Sequence, residues 1–321
     1  MHVLLLAGST PPLWHHDLAW AMLALGLASA LVILVDELVL GHRQHMAVMN
    51  LVHPITALYW GPVWLWAYFR NGRKSSQKVM HEQAMRFDGD VAELKRKGES
   101  TDPENLRPWH VGNAVSHCGA GCTLGDIGGE WILFAVFASP MLGITGTYGW
   151  EIIADFVLAW TLGIVFQYFT IVPMRDDVGK LQGIWQAVKV DTASILAFQV
   201  GLFGWMALSH FVLFQPPLKV DTSGHWFMMQ VGMIVGYFTA WPVNRWLVQS
   251  GIKEKMDHRK HLAMMVEQMR DDDGDNARDD PTARERQATA GAGQRQLSER
   301  HTAAAAGAGE ETPLRSLRGR E

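Results

Sequence analysis

The sequence predicts an all-α fold: a polytopic membrane helix bundle of about six transmembrane helices, with a glycine-broken third element and both termini in the cytoplasm. Three observations lead there. Apolar residues come in long blocks, Lys and Arg fall mostly in alternate connections, and one stretch too long for a single crossing is interrupted by glycines. Crossing roughly 30 Å of hydrocarbon as a helix takes about 20 mostly apolar residues. Averaged over all 321 residues the hydropathy is near zero, and the average hides this segregation.

The opening residues, "MHVLLLAGSTPPLWHH", have no basic start and too short an apolar run for a secretory signal. The first block, 18–40, is therefore expected to stay as a membrane helix and to pair with the second, 47–69, in an N-terminal hairpin over 1–69. Residues 70–108 carry nine Lys and Arg and read as a cytoplasmic connector, with a short amphipathic helix ending at Gly98. The blocks 131–150, 152–174, 190–214 and 226–248 contain almost no Lys or Arg, unlike the charged faces of soluble helices. With the half-helix before them they make a four-helix membrane domain over 109–256. Residues 257–321 read as a cytoplasmic tail, largely disordered from about 271, where apolar periodicity is lost.

Six spans put Arg70 to Arg107, Arg175, Lys180, Lys253, Lys255, Arg259 and Lys260 on one side, leaving only Arg43 and Lys219 in the other connections. By the positive-inside rule that side is cytoplasmic. The expected location is a bacterial-type inner membrane, with the lipid bilayer as first partner. No phosphate loop, nucleophile elbow or His-Glu-x-x-His helix is present, which favours a non-enzyme over an enzyme. Basic patches interleaved with aromatics are missing too, so nucleic acid is not expected as a partner. A homo-oligomer or a membrane partner protein stays open.

The third element begins with "SHCGAGCTLGDIGGE", residues 116–130, which holds both cysteines. From Trp109 to Trp150 an unbroken helix would extend roughly 60 Å, about twice the hydrocarbon thickness. Gly125, Gly128 and Gly129 lower helix propensity, so the break is expected there, with 110–124 as an interfacial or re-entrant half-helix. Residues four apart share a helix face. Gly121, Gly125 and Gly129 thus form a small-residue stripe that admits a close neighbour. Beside it, Cys118, Cys122, Asp126 and Glu130 would be pressed into the bundle.

A disulfide suits this spacing poorly, since β-carbons at i and i+4 lie about 5–6 Å apart and a disulfide wants roughly 3.5–4.5 Å. Two thiolates around one Cu or Zn ion fit better, with His117 as ligand or neighbouring donor and Asp126 and Glu130 compensating charge. Cysteine as inert buried filler remains the alternative, although carboxylates at membrane depth are expensive and usually functional. Metal binding through thiolates should weaken on acidification.

Elsewhere, Thr192, Gln199, Met206 and His210 share one helix face, as do Gln230, Met233 and Tyr237. The expected topology gathers Asp36, Glu37, His42, His45, His53, His210 and His225 towards the outer side. The sixteen methionines read as adaptable packing rather than as Cu(I) ligands, and Asn244 with Pro242 as the cap and bend of the last span.

"HCGAGCTLGDIGGE", "VDTASILAFQVGLFGWMAL" and "WFMMQVGMIVGYFTAWPVNRWLVQSGIKEKM" together resemble the bacterial membrane family known as domain of unknown function 4396, over roughly residues 109–256. The resemblance implies a membrane bundle and transfers no established activity; copper-related labels on some relatives make copper worth testing. The expectation is a membrane protein that binds or moves a soft or transition metal ion, Cu or Zn, through Cys118 and Cys122. A membrane thiol-disulfide oxidoreductase and a non-enzymatic scaffold or assembly factor are the alternatives.

Overall fold

A computed structural model describes residues 13–137, 148–171, 180–214 and 216–279. The chain divides into two compact units, 1–265 and 266–321. Its elements are α1 (Leu13–Leu38), α2 (Met49–Trp60), α3 (Pro62–Arg70), α4 (Gln77–Met85), α5 (Val91–Glu99), α6 (Pro108–Phe137), α7 (Tyr148–Ile171), α8 (Lys180–Leu208), α9 (Ser223–Gln249) and the start of α10 (His258–Asp279). No strand occurs among the described residues, only an isolated bridge between Gln44 and Ser76.

Two segments, His15–Leu38 and Asp191–Leu213, are long and apolar enough to cross a membrane, and Asp155–Phe166 is a shorter apolar one. One face of each turns large side chains outward, with Trp20 57% exposed, Leu31 51% and Val200 70%, while Ile33, Ile195, Phe198 and Leu202 are buried in the core. In the connector, the expected amphipathic helix is α5, started by Asp90, whose carboxylate accepts from the backbone N–H of Ala92 and Glu93.

The second block, expected to cross as one helix, is instead a helical hairpin. At Gly61 the backbone takes φ of 56°, open to glycine at little cost, and Pro62 starts the next helix with the φ it already prefers. Helix α3 folds back along α2, bringing the Tyr68 ring within 5.2 Å of His53. The tip at Gly61 touches Leu25 and Gly26 in the middle of α1, while the two open ends meet where Gln44 bridges Ser76. Loop 39–48 and the connector consequently lie at the same end of the bundle. Tyr68 donates to Asp36, and Arg73 lies 3.4 Å from the same carboxylate.

The same geometry places the start of α1. His15 at the start of α1 packs on Phe214 and Phe227, at the α8–α9 connection. His110 and Asp257 mark the opposite end, 3.4 Å apart. The first described residues and the start of α10 thus sit at opposite ends of the bundle; the termini themselves, 1–12 and 280–321, lie outside the described residues. Asp36, Glu37, His42, His45 and His53, expected outside with His210 and His225, belong to the connector end for the same reason.

The glycine break expected in the third element is also absent. Helix α6 runs unbroken through "GDIGGE" as far as Phe137; residues 138–147 lie outside the described ones. Tertiary packing overrides propensity here: a β-carbon at Gly121 would meet the backbone of Gly163, one at Gly125 the backbone of Ala159, and one at Gly129 the carboxylate of Asp155. The small-residue stripe seats α7 against α6, four residues against four. A second close crossing joins α8 to α9, where a β-carbon at Gly201 would fall 2.8 Å from the Gly236 Cα. The tail expected to lack structure is helical as far as Asp279; the rest of it, 280–321, lies outside the described residues.

Candidate cation site

The four-residue spacing on α6 puts His110, Ala114, Cys118, Cys122, Asp126 and Glu130 on one face, roughly 30 Å from end to end at 1.5 Å per residue. That face points into the bundle. All of these residues are buried except Glu130, which is half-buried. The expectation that sulphur and carboxylate face protein rather than lipid thus agrees with their burial. The partners, however, divide the file into separate places.

Cys118 lies at the inner place. Its Sγ is 2.7 Å from Lys253 Nζ, 3.1 Å from Asp191 Oδ1 and 3.0 Å from Ser194 Oγ. The Lys253 ammonium also donates to Asp191 Oδ1 at 3.1 Å, to the Ala114 carbonyl at 3.0 Å and to Asn244 Oδ1 at 3.0 Å. Three N–H bonds thus serve four acceptors. Asn244 Nδ2 donates to Ser194 Oγ at 2.6 Å and to the Ala240 carbonyl, so its orientation is fixed from both sides. Lys253 is 2% exposed and Asp191 fully buried.

A charge so deeply buried persists only when paired. Burial alone would lower the Lys253 pKa; the Asp191 carboxylate and the Cys118 sulphur overcome this and hold it above its ordinary value. The site therefore contains a tethered cation. Ligand atoms of His117, Cys118 and Asp191 all lie within 4.8 Å of one another, the one such group of three among the described residues.

Cys122 is not in that group. It is buried one turn further along among core residues that include Ala159, Ile195 and Phe198, and neither cysteine is in a disulfide. The structure therefore brings together His117 and Cys118 from the expected set, adds Asp191, and separates Cys122, Asp126 and Glu130 from them.

Asp126 and Glu130 open onto a second place, a cavity of about 290 Å³ that Asp155, His210, Lys219 and His225 also line. Gln199 donates to Asp126 Oδ1 at 3.0 Å, and His225 Nε2 lies 3.4 Å from Glu130 Oε1. Between the two places Thr123 donates to the Gly119 carbonyl and lies 3.7 Å from the Met233 sulphur. At the connector end, Asp257 is ringed by Lys255 at 3.0 Å, Arg259 at 2.7 Å and His110 at 3.4 Å. Burial opposes its ionisation, but Arg259, His110 and Lys255 hold its carboxyl well below the usual range.

Sequence reasoning missed Lys253, Asp191, Ser194 and Asn244 as site residues. Asp191 did carry a signal, a lone carboxylate at the head of an apolar block. Lys253 looked like one more basic residue of the cytoplasmic side, and only the fold shows that it turns inward.

Residues 109–253 match the model of a family described as a domain of unknown function (DUF4396). No curated protein and no solved structure matches the chain.

Proposed function

Since the family over residues 109–253 brings no activity with it, we propose on physical grounds that this is a multi-pass membrane protein that binds and moves a transition-metal cation. In this reading α1, α6, α7, α8 and α9 cross the bilayer, and α2–α3 is a re-entrant hairpin. The connector and the start of α10 are cytoplasmic and the N-terminus is outside. The support is that α1 and α8 turn large apolar side chains outward. With this topology Arg43 joins the basic cytoplasmic side as well, which leaves the positive-inside pattern stronger than six spans did.

The metal seat is His117, Cys118 and Asp191, and the observation that carries it is the convergence of those three ligand atoms within 4.8 Å in a fully buried place. A sulphur, nitrogen and oxygen set suits a borderline ion such as Zn²⁺ and also accommodates copper. Lys253 holds the seat between ions. With a neutral thiol the Lys253–Asp191 pair sums to zero charge. A divalent ion on carboxylate and thiolate, the thiol proton having been released to water, sums to zero again once the ammonium has swung out. Binding therefore need not leave net charge in the bundle. The cavity at Asp126 and Glu130 is the outer end of the path.

The test is metal content by elemental analysis of protein purified in detergent after equilibration with Zn²⁺. Cys118→Ser and Asp191→Asn should each lose the ion, and Cys122→Ser should keep it. Equal content in the wild type and a Cys118→Ser, Asp191→Asn double variant would end the proposal.

A further inference from the structure

A different cluster lies at the connector end, outside the network just described. A cavity of about 30 Å³ is lined by His45 and Met46 from the loop after α1, Met49 and His53 from α2, Met256 from the segment leading into α10 and His261 from the start of α10. The His45 and His261 rings face each other with centroids 4.6 Å apart. His53 is 1% exposed and His261 8%, and the Nδ1 atom of each is buried without a hydrogen-bond partner. Two orphaned imidazole nitrogens on one small cavity are costly unless something accepts or supplies a bond there.

We propose that this cavity is a binding site for one soft monovalent metal ion, Cu(I), held by His45 and His261 and completed by methionine thioether. The donor set selects the ion. Asp257, the carboxylate at the cavity, is already held by Lys255, Arg259 and His110, so the free donors are uncharged: imidazole nitrogen, methionine sulphur and the amide oxygen of Asn113. Uncharged donors cannot neutralise a hard divalent ion taken out of water, whereas thioether and imidazole suit Cu(I). No third imidazole or carboxylate joins the pair in a tight cluster among the described residues, which leaves thioether as the complement. The volume is enough for one ion.

The site is independent of the Cys118 seat, and the experiment keeps the two apart. Full-length protein carrying Cys118→Ser and Asp191→Asn is titrated with Cu(I) under reducing conditions against a coloured Cu(I) chelator. One equivalent should still bind, and adding His45→Ala with His261→Ala should abolish it. Because His261 is buried, His45→Gln at the exposed partner is the second variant. It should weaken Cu(I) by more than about tenfold, the least expected when even an outer neighbour of a metal is disturbed, with thermal stability unchanged. Absence of Cu(I) binding in the Cys118→Ser, Asp191→Asn background overturns the proposal, as does equal binding with and without the two imidazoles.

Discussion

Replacing Lys253 by Met tests whether the inner place is a paired charge or only a packed one. Methionine fills much of the same volume but removes the ammonium that serves Cys118, Asp191, Ala114 and Asn244. Asp191 would then be a fully buried carboxylate without a counter-charge, a change that typically costs about 3–5 kcal/mol. At about 2–4 °C per kcal/mol for a protein of this size, the expected fall in melting temperature is about 6–20 °C. Asp191→Asn with Lys253→Met removes both charges and should recover most of the loss, because replacing both partners of a buried pair is often close to neutral. Thermal unfolding in detergent, followed by tryptophan fluorescence on the wild type, both single variants and the double, closes the cycle. A single variant that loses less than about 1 kcal/mol, or a double variant no better than Lys253→Met, would refute the paired-charge reasoning.

Gly125→Ala should destabilise by about 1–3 kcal/mol, since its β-carbon would meet the backbone of Ala159 and push α6 off α7; a melting curve unchanged from wild type would contradict that close approach. Gly204→Ala, where an added β-carbon meets nothing within 4 Å, should be neutral or stabilise by up to about 1 kcal/mol, measured in the same way. The Asp257 carboxyl is depressed in the fold, so its contribution is fully present above its unfolded pKa of about 4 and is lost as pH falls below that. The wild type should accordingly lose stability below pH about 4 with a step that Asp257→Asn lacks, read from midpoints across a pH series. For topology, cysteines introduced at the exposed positions Val39 and Asp221 should react with an impermeant maleimide from opposite faces of sealed vesicles; labelling from the same face would overturn the proposed topology.

Much of the helical content and one inward face were legible in the sequence, because apolar blocks and four-residue spacing are local properties of the chain. The Gly121, Gly125 and Gly129 stripe meets a neighbour as the spacing predicts, and the cysteines and Asp126 beside it are buried. Glycine as a breaker was the misleading signal. The same residue that lowers helix propensity also lets backbones touch, and which effect wins depends on whether a partner helix arrives. At Gly125 it does, and α6 stays straight through; at Gly61 a positive φ and the following proline end a helix that composition alone would have carried across the membrane.

The sequence by itself determined that this chain makes long apolar helices and that Cys118 must share a face with Cys122, Asp126 and Glu130, since both follow from residue type and the helical repeat. Only the tertiary structure decided which groups Cys118 meets. Asp191, Asn244 and Lys253 come from α8, α9 and the turn after α9, between 73 and 135 residues away in the chain. Nothing local distinguishes a lysine that will face water from one that will be drawn inside. The difference is set by an acidic partner on another helix, and that proximity exists only once the helices have packed.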